Sequence, residues 1–292
     1  MDVTQTNLVE IITQTINTLF QNLFSSIDNN VYSILDDIAF IGPNFLKDSF
    51  LEKLLGTSSS TGILLISNSL LIGFLLFYCI QLFFCSYTFT PIQKPYQFLC
   101  RILLVAIFLN SSFFVCEQTI QINFLLSSSI RNIGEILFQK NICFSELITH
   151  LNSIITINES SLNLFSMDGI IKSIASIGLF NLVFVYSLRY IMIKVFILIC
   201  PFAILCLTLH STQWIFKTWL RCFFSLLILQ IFISIILLII FSLDFHSNLF
   251  SKLMYIGSIY ALIKANSYIR ELFGGISTDI TSNIGINQKI IK

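Results

Sequence analysis

From Leu54 to Gln93 the sequence contains no Asp, Glu, Lys or Arg. Within that stretch Gly62–Phe84 is a run of 23 mostly apolar residues. A helix rises about 1.5 Å per residue, so the run is long enough to cross a hydrocarbon core of roughly 30 Å. A second charge-free run, Cys222–Leu243, has 22 residues and the same reach. Two such runs constrain the chain more than any motif does, and composition agrees with them. Only 11% of the residues are charged, against about 25% in a soluble domain, and 55% are apolar. So few charges cannot cover the core of a soluble protein of 292 residues. An ordinary cytosolic enzyme and a disordered chain are therefore excluded. The net charge of +1, with no basic tail, gives nothing for a phosphate backbone to bind, so sequence-specific nucleic-acid binding is not expected. The fold class expected is an all-α polytopic membrane protein with added amphipathic helices.

Five regions follow from the pattern. Residues 1–61 are an amphipathic N-terminal helical region: Leu8, Ile11, Ile12, Ile16, Leu19 and Leu23 recur at three- and four-residue steps between polar residues. Five acids, Asp2 to Asp37, precede the first base, Lys47, so this face attracts anionic lipid weakly and is expected to pack on protein. No cationic n-region of a signal peptide is present, and the first span is expected to act as the insertion signal. Residues 62–116 hold the first pair of spans, Gly62–Phe84 and Phe98–Cys116. Residues 117–173 are expected to be an amphipathic extramembrane insert, and 174–273 the C-terminal spans. Residues 274–292 are a polar tail after the helix stop at Gly274 and Gly275.

The span count turns on Ile174–Leu209, 36 nearly continuous apolar residues interrupted by Arg189 and Lys194. Read as one helix, it gives five spans with Cys222–Leu243 and Leu253–Ile269. Arg189 and Lys194 are about 140° apart around a helix, so they share no narrow face; this favours a break between them and six spans. Five spans place eight bases and two acids inside and six bases and thirteen acids outside. Six spans, with the N-terminus inside, place eleven bases inside and five outside. The positive-inside rule counts bases and does not separate the two.

Ionisable residues at membrane depth mark functional sites by default. Arg189 and Lys194 are candidates to line a translocation path or to pair with another subunit; the alternative is a short loop or a snorkelling helix end. Pro201 is a candidate kink. Trp214, Lys217, Trp219 and Arg221 read as membrane-boundary anchors or partner contacts. Gln230 and Asn181 are candidates for hydrogen bonds between helices. Seven of the eight Cys lie in or beside apolar runs and read as packing residues, with Cys143 the exception. No CxxC, no clustered His, no Walker loop and no Ser/His/Asp constellation occurs, so no metal, cofactor or enzymatic activity is expected.

Four segments together carry a resemblance. They are Arg189-Tyr-Ile-Met-Ile-Lys194, Ile199-Cys-Pro-Phe-Ala203, Trp214-Ile-Phe-Lys-Thr-Trp-Leu-Arg221, and an apolar helix holding Gln230. In that order they resemble the TrbL-type polytopic subunit of type IV secretion and conjugation machines. The resemblance implies an outside N-terminus, about five spans and an inside C-terminus. It implies a non-catalytic channel or scaffold subunit in the cytoplasmic membrane. Such a subunit contacts lipid, oligomerises, and works with other secretion subunits, including a separate ATPase. The chain lacks the large soluble C-terminal extension of longer members. The alternative function is a secondary transporter or a pore former; the spans Gly62–Phe84 and Cys222–Leu243 hold no Asp or Glu for a coupling ion, and no inverted repeat of spans is visible.

Overall fold

The computed structural model describes residues 15, 18–19, 34–46, 49–56, 62–88, 95–155, 167–243 and 249–273. These residues are 92% helical and contain no strand. Among the described residues the α-helices from Ser49 onward run in order: α1 (Ser49–Leu55), α2 (Ile63–Thr88), α3 (Pro95–Asn110), α4 (Ser112–Phe138), α5 (Phe144–Ile155), α6 (Met167–Leu205), α7 (Gln213–Phe241) and α8 (Leu249–Phe273). Residues 34–39 are helical too, and 3-10 turns occur at Pro43–Leu46 and His210–Thr212.

The core forms around α7, which packs on α4, α6 and α8. Among the described helices its contacts with α4 are the most extensive. Residues 123 and 127 of α4 meet 230 and 234 of α7 in step, so these two helices run parallel. Residues 189 and 196 of α6 meet 226 and 219 of α7, so that pair runs antiparallel. Close approach of α6 to α8 needs a glycine: a Cβ on Gly178 would lie 2.9 Å from Cγ2 of Ile259.

Helix α2 is apolar on all sides and lies at the edge. Only 11% of its spanning window is buried, and Leu65, Leu76, Phe83 and Tyr87 point outward. An all-round apolar surface suits lipid better than an aqueous face does. Two contacts tie α2 to α3: Asn68 Nδ2 donates to Asn110 Oδ1 at 3.1 Å, and Tyr78 stacks on Phe98 with ring centroids 3.6 Å apart.

Between α3 and α4 the chain bends by 59° at Ser111. Asn110 Nδ2 and Ser111 Oγ each donate back to carbonyls one turn earlier, Ala106 and Ile107, both at 2.9 Å. Such back-bonding competes with the helical ladder and bends it. The expected span Phe98–Cys116 thus crosses a bend. The boundary drawn between residues 116 and 117 falls inside α4, whose face Cys116, Ile120, Asn123, Ser127 and Gly134 is buried in the bundle.

Helix α6 is unbroken over 39 residues, about 58 Å. The break expected between Arg189 and Lys194, on which the six-span alternative depended, does not occur: Arg189 points into the bundle and needs no loop. Pro201 lies inside α6, where it withdraws one donor from the ladder close to the C-terminal end. Helix α8 buries Tyr255, Ile259, Leu262, Ala265 and Ile269 against α6 and α7.

Among the described residues three helical stretches are long and apolar enough to cross a membrane: Ile63–Cys85, Gly169–Leu205 and His210–Phe241. They are four if the bent pair α3 and α4 forms one span. The expected span Leu253–Ile269 belongs to α8 and falls outside this set, because Lys264 and Asn266 dilute its apolar character.

The described part of the N-terminal region, segment 34–46, packs on the protein. Leu35, Ala39, Ile41 and Leu46 of segment 34–46 are at most 2% exposed. Nearly all of residues 1–33, and the tail 274–292 with Gly274 and Gly275, lie outside the described residues.

Candidate functional site

Segment 34–46 enters the bundle where α4, α6 and α7 meet, and the polar residues of those helices converge on it. After residue 39 its backbone leaves the helix, so its carbonyls need partners. Arg189, from the middle of α6, is completely buried. Its Nη1 donates to the Ala39 carbonyl at 3.0 Å and its Nε to the Leu226 carbonyl of α7 at 2.8 Å. Its Nη2 has no hydrogen-bond partner, and among the described residues no carboxylate pairs with it. The charge is therefore held by carbonyl dipoles alone, with one donor unspent.

Gln230 of α7 completes the layer. Its Nε2 donates to the Ile41 carbonyl at 3.5 Å, and its Oε1 accepts from Asn123 Nδ2 of α4 at 3.3 Å. One turn further on, the hydroxyls of Ser127 and Ser234 lie 2.7 Å apart. Gln230 thus joins two helices, as the sequence reading expected, and adds the inserted segment as a third partner. Asn123, Ser127 and Ser234 went unnoticed in the sequence. The shared spacing, Asn123 to Ser127 on one helix and Gln230 to Ser234 on the other, is the signal that would have found them.

Both ends of the segment are clamped. At one end the Asp36 carboxylate caps α5: Oδ1 accepts from the Phe144 amide at 2.8 Å, and Oδ2 accepts from the Ser145 amide at 3.1 Å and its hydroxyl at 2.7 Å. An acid at a helix N-terminus meets free amides and the positive end of the dipole. Here too the Arg131 guanidinium lies over the Phe40 ring, 4.1 Å from its centroid. At the other end Lys194 Nζ lies 5.4 Å from the Phe45 ring and 5.2 Å from that of Tyr190. Lys194 is partly exposed and is not part of the polar layer.

The remaining candidates lie elsewhere. Trp219, read as a boundary anchor or partner contact, is a core residue: its indole Nε1 donates to the Phe196 carbonyl at 3.0 Å, and its ring stacks on Phe223 and Phe216. Trp214, five residues earlier, is 64% exposed and keeps the anchor role open. Arg221 is exposed, and Pro201 is buried near the end of α6, away from Arg189. Asn181, expected to join helices, faces outward. Among the described residues no three His, Cys, Asp or Glu come together as metal ligands. The layer offers hydrogen-bond donors, chiefly the spare Nη2 of Arg189, and no nucleophile paired with a base.

An all-helical bundle with three or four membrane-length helices around a buried polar layer defines a multi-pass helical membrane protein. No family model, no curated protein and no solved structure matches the chain.

Proposed function

We propose that the chain is a non-catalytic channel or scaffold subunit of a type IV secretion (conjugative DNA-transfer) apparatus of the TrbL type. It resides in the cytoplasmic membrane, oligomerises, and depends on a separate ATPase subunit for energy. The observation that carries this reading is the convergence of Arg189 and Gln230. These are polar residues of the four segments that resemble the family, and both hold the backbone of segment 34–46, at Ala39 and Ile41. A polar layer in the middle of an apolar bundle, closed by a separate piece of chain, is an arrangement a path-forming subunit can use. The outward apolar face of α2 adds support, because it offers lipid or neighbouring subunits a broad surface. The proposed topology has five spans with the N-terminus outside. Reporter fusions at Asp28, Asn158, Thr212 and Asn287 are then outside, outside, inside and inside.

The test is an in-frame deletion in a donor cell, scored by DNA transfer to a recipient. Transfer falls by orders of magnitude and is restored by the full chain supplied in trans. Unchanged transfer overturns the reading. So does saturable uptake of a small solute by the purified chain alone in liposomes.

A further inference from the structure

The bend at Ser111 separates α3 from α4, and the ends of α6 and α7 do not fill the gap. The result is an open-mouthed cavity of about 330 Å³. Phe108 and Val115 line it from the two sides of the bend, Ile204 from the end of α6, Leu207 from the turn that follows, and Phe216 and Leu220 from the first turns of α7. Its polar lining group, Thr119, spends its hydroxyl on the Val115 carbonyl of its own helix at 2.7 Å. The walls therefore ask for an apolar guest. An apolar cavity of about 150 Å³ accepts a benzene-sized molecule, so this one holds a chain about twice as large.

Depth and charge identify the guest. Residue 227 is the middle of α7, close to the Arg189–Gln230 layer. Lys217 is ten residues away, about 15 Å along the axis, which is half of a roughly 30 Å hydrocarbon core. Lys217 thus stands at the headgroup boundary, with Trp214 exposed a turn beyond it. The cavity reaches from there toward the midplane. Phe224, an exposed lining residue of α7, marks the outward edge of the cavity; Lys217, seven positions earlier, lies about 20° from it around the helix and Arg221 about 60° from it, so the two bases flank that edge. Both bases are exposed. Arg101, whose Nη2 donates to His210 Nε2 at 2.9 Å, adds positive charge at the same end of the bundle.

We infer that this cavity is a binding site for one acyl chain of an anionic diacyl phospholipid whose phosphate rests on Lys217 and Arg221. Surrounding lipid offers every acyl chain the same apolar contacts, so selectivity comes from the headgroup. Each base near the surface favours an anionic head by about fivefold, and two by roughly thirtyfold.

The test uses the full chain in phosphatidylcholine nanodiscs doped with phosphatidylglycerol that carries a diazirine on one acyl chain. After illumination, cross-links map to residues 108–119, 204–207 and 216–224. Excess unlabelled phosphatidylglycerol suppresses them, and phosphatidylcholine does not. The double variant K217Q/R221Q lowers cavity labelling at least tenfold and leaves labelling of α2 unchanged. V115W, which fills the cavity, abolishes cavity labelling; should it fail to fold, the competition on the unaltered chain decides. Equal competition by phosphatidylcholine or by free fatty acid overturns the proposal, as does labelling spread evenly over the exposed face of α2. The measurement involves no DNA transfer, so its outcome is independent of the secretion reading.

Discussion

Replacement of Arg189 by Met tests whether the buried charge holds segment 34–46 in place. The guanidinium donates two charge-assisted hydrogen bonds, each worth about 1.5–3 kcal/mol, for a gross contribution of about 3–6 kcal/mol. Burial of the charge opposes this, but the reference state differs from that of a soluble protein. A separated α6 would expose Arg189 to lipid, at about 2.5–3.5 kcal/mol, so the bundle interior costs little more. Met fits the volume and leaves the Ala39 carbonyl without a donor, at about 1–3 kcal/mol. The Leu226 carbonyl keeps its partner in the α7 ladder. R189M therefore costs about 3 kcal/mol, mostly at the segment. R189K keeps the charge and loses the fork, and falls between R189M and the unaltered chain. The assay is amide hydrogen exchange in nanodiscs. About 3 kcal/mol corresponds to a roughly 150-fold faster opening of residues 34–46 and of the Phe144 and Ser145 amides they clamp, with α7 protected as before. If R189M exchanges as slowly as the unaltered chain, desolvation outweighs both hydrogen bonds and the reasoning fails.

Three further outcomes are expected. D36A removes the acceptors of the Phe144 and Ser145 amides at the α5 N-terminus and costs about 2 kcal/mol, with exchange fastest at those two amides; D36N costs about half as much. G178A drives a methyl to 2.9 Å from Ile259 and lowers stability by about 1–3 kcal/mol in detergent unfolding, whereas G257A meets nothing within 4 Å and raises it by about 0.5–1 kcal/mol. Burial pushes the Cys143 thiol up, against a weaker opposing hydrogen bond from the Glu146 amide. Its maleimide labelling at pH 8.5 therefore lags behind that of an unfolded thiol. Because its folded value lies above the unfolded one, near 8.5, its contribution to stability is complete below that pH and declines as pH rises through the folded value.

Much of the helical framework was legible because it rests on uninterrupted apolar runs. Ile63–Thr88 and Gln213–Phe241 announce themselves by length and absence of charge. Gln230 was legible too, since an amide inside such a run needs a partner. Arg189 was only half legible. A charge in an apolar run can lie at a break or be solvated inside the bundle, and the carbonyls of Ala39 and Leu226 that solvate it leave no mark in the sequence, because every residue carries one. Trp214 and Trp219 share one local composition; 140° of rotation separates the exposed ring from the buried one, and a helix apolar all round gives no hint of which face is inside. The bend at Ser111 had a readable cause in Asn110 and Ser111, two adjacent short polar residues able to bond backward. Segment 34–46 was hardest, since its apolar spacing also suits a helix lying on the surface.

The inserted segment also fixes an order of assembly. Ile41 and the Gln230 side chain that holds it are 189 residues apart, and Ala39 and Arg189 are 150 apart. At roughly 5–20 residues per second, a ribosome needs about 10–40 s to complete the seat after making its occupant. During that interval Leu35, Phe40, Ile41 and Phe45 have α3, α4 and α5 to pack on but lack the α6 and α7 walls of their core. Insertion of helices α2 and α3 proceeds without them, and closure of the bundle waits for α7. A nascent chain halted before residue 213 would leave segment 34–46 without Gln230 and the α7 side of its seat, so a stretch near the start of the chain is among the last to be fully enclosed.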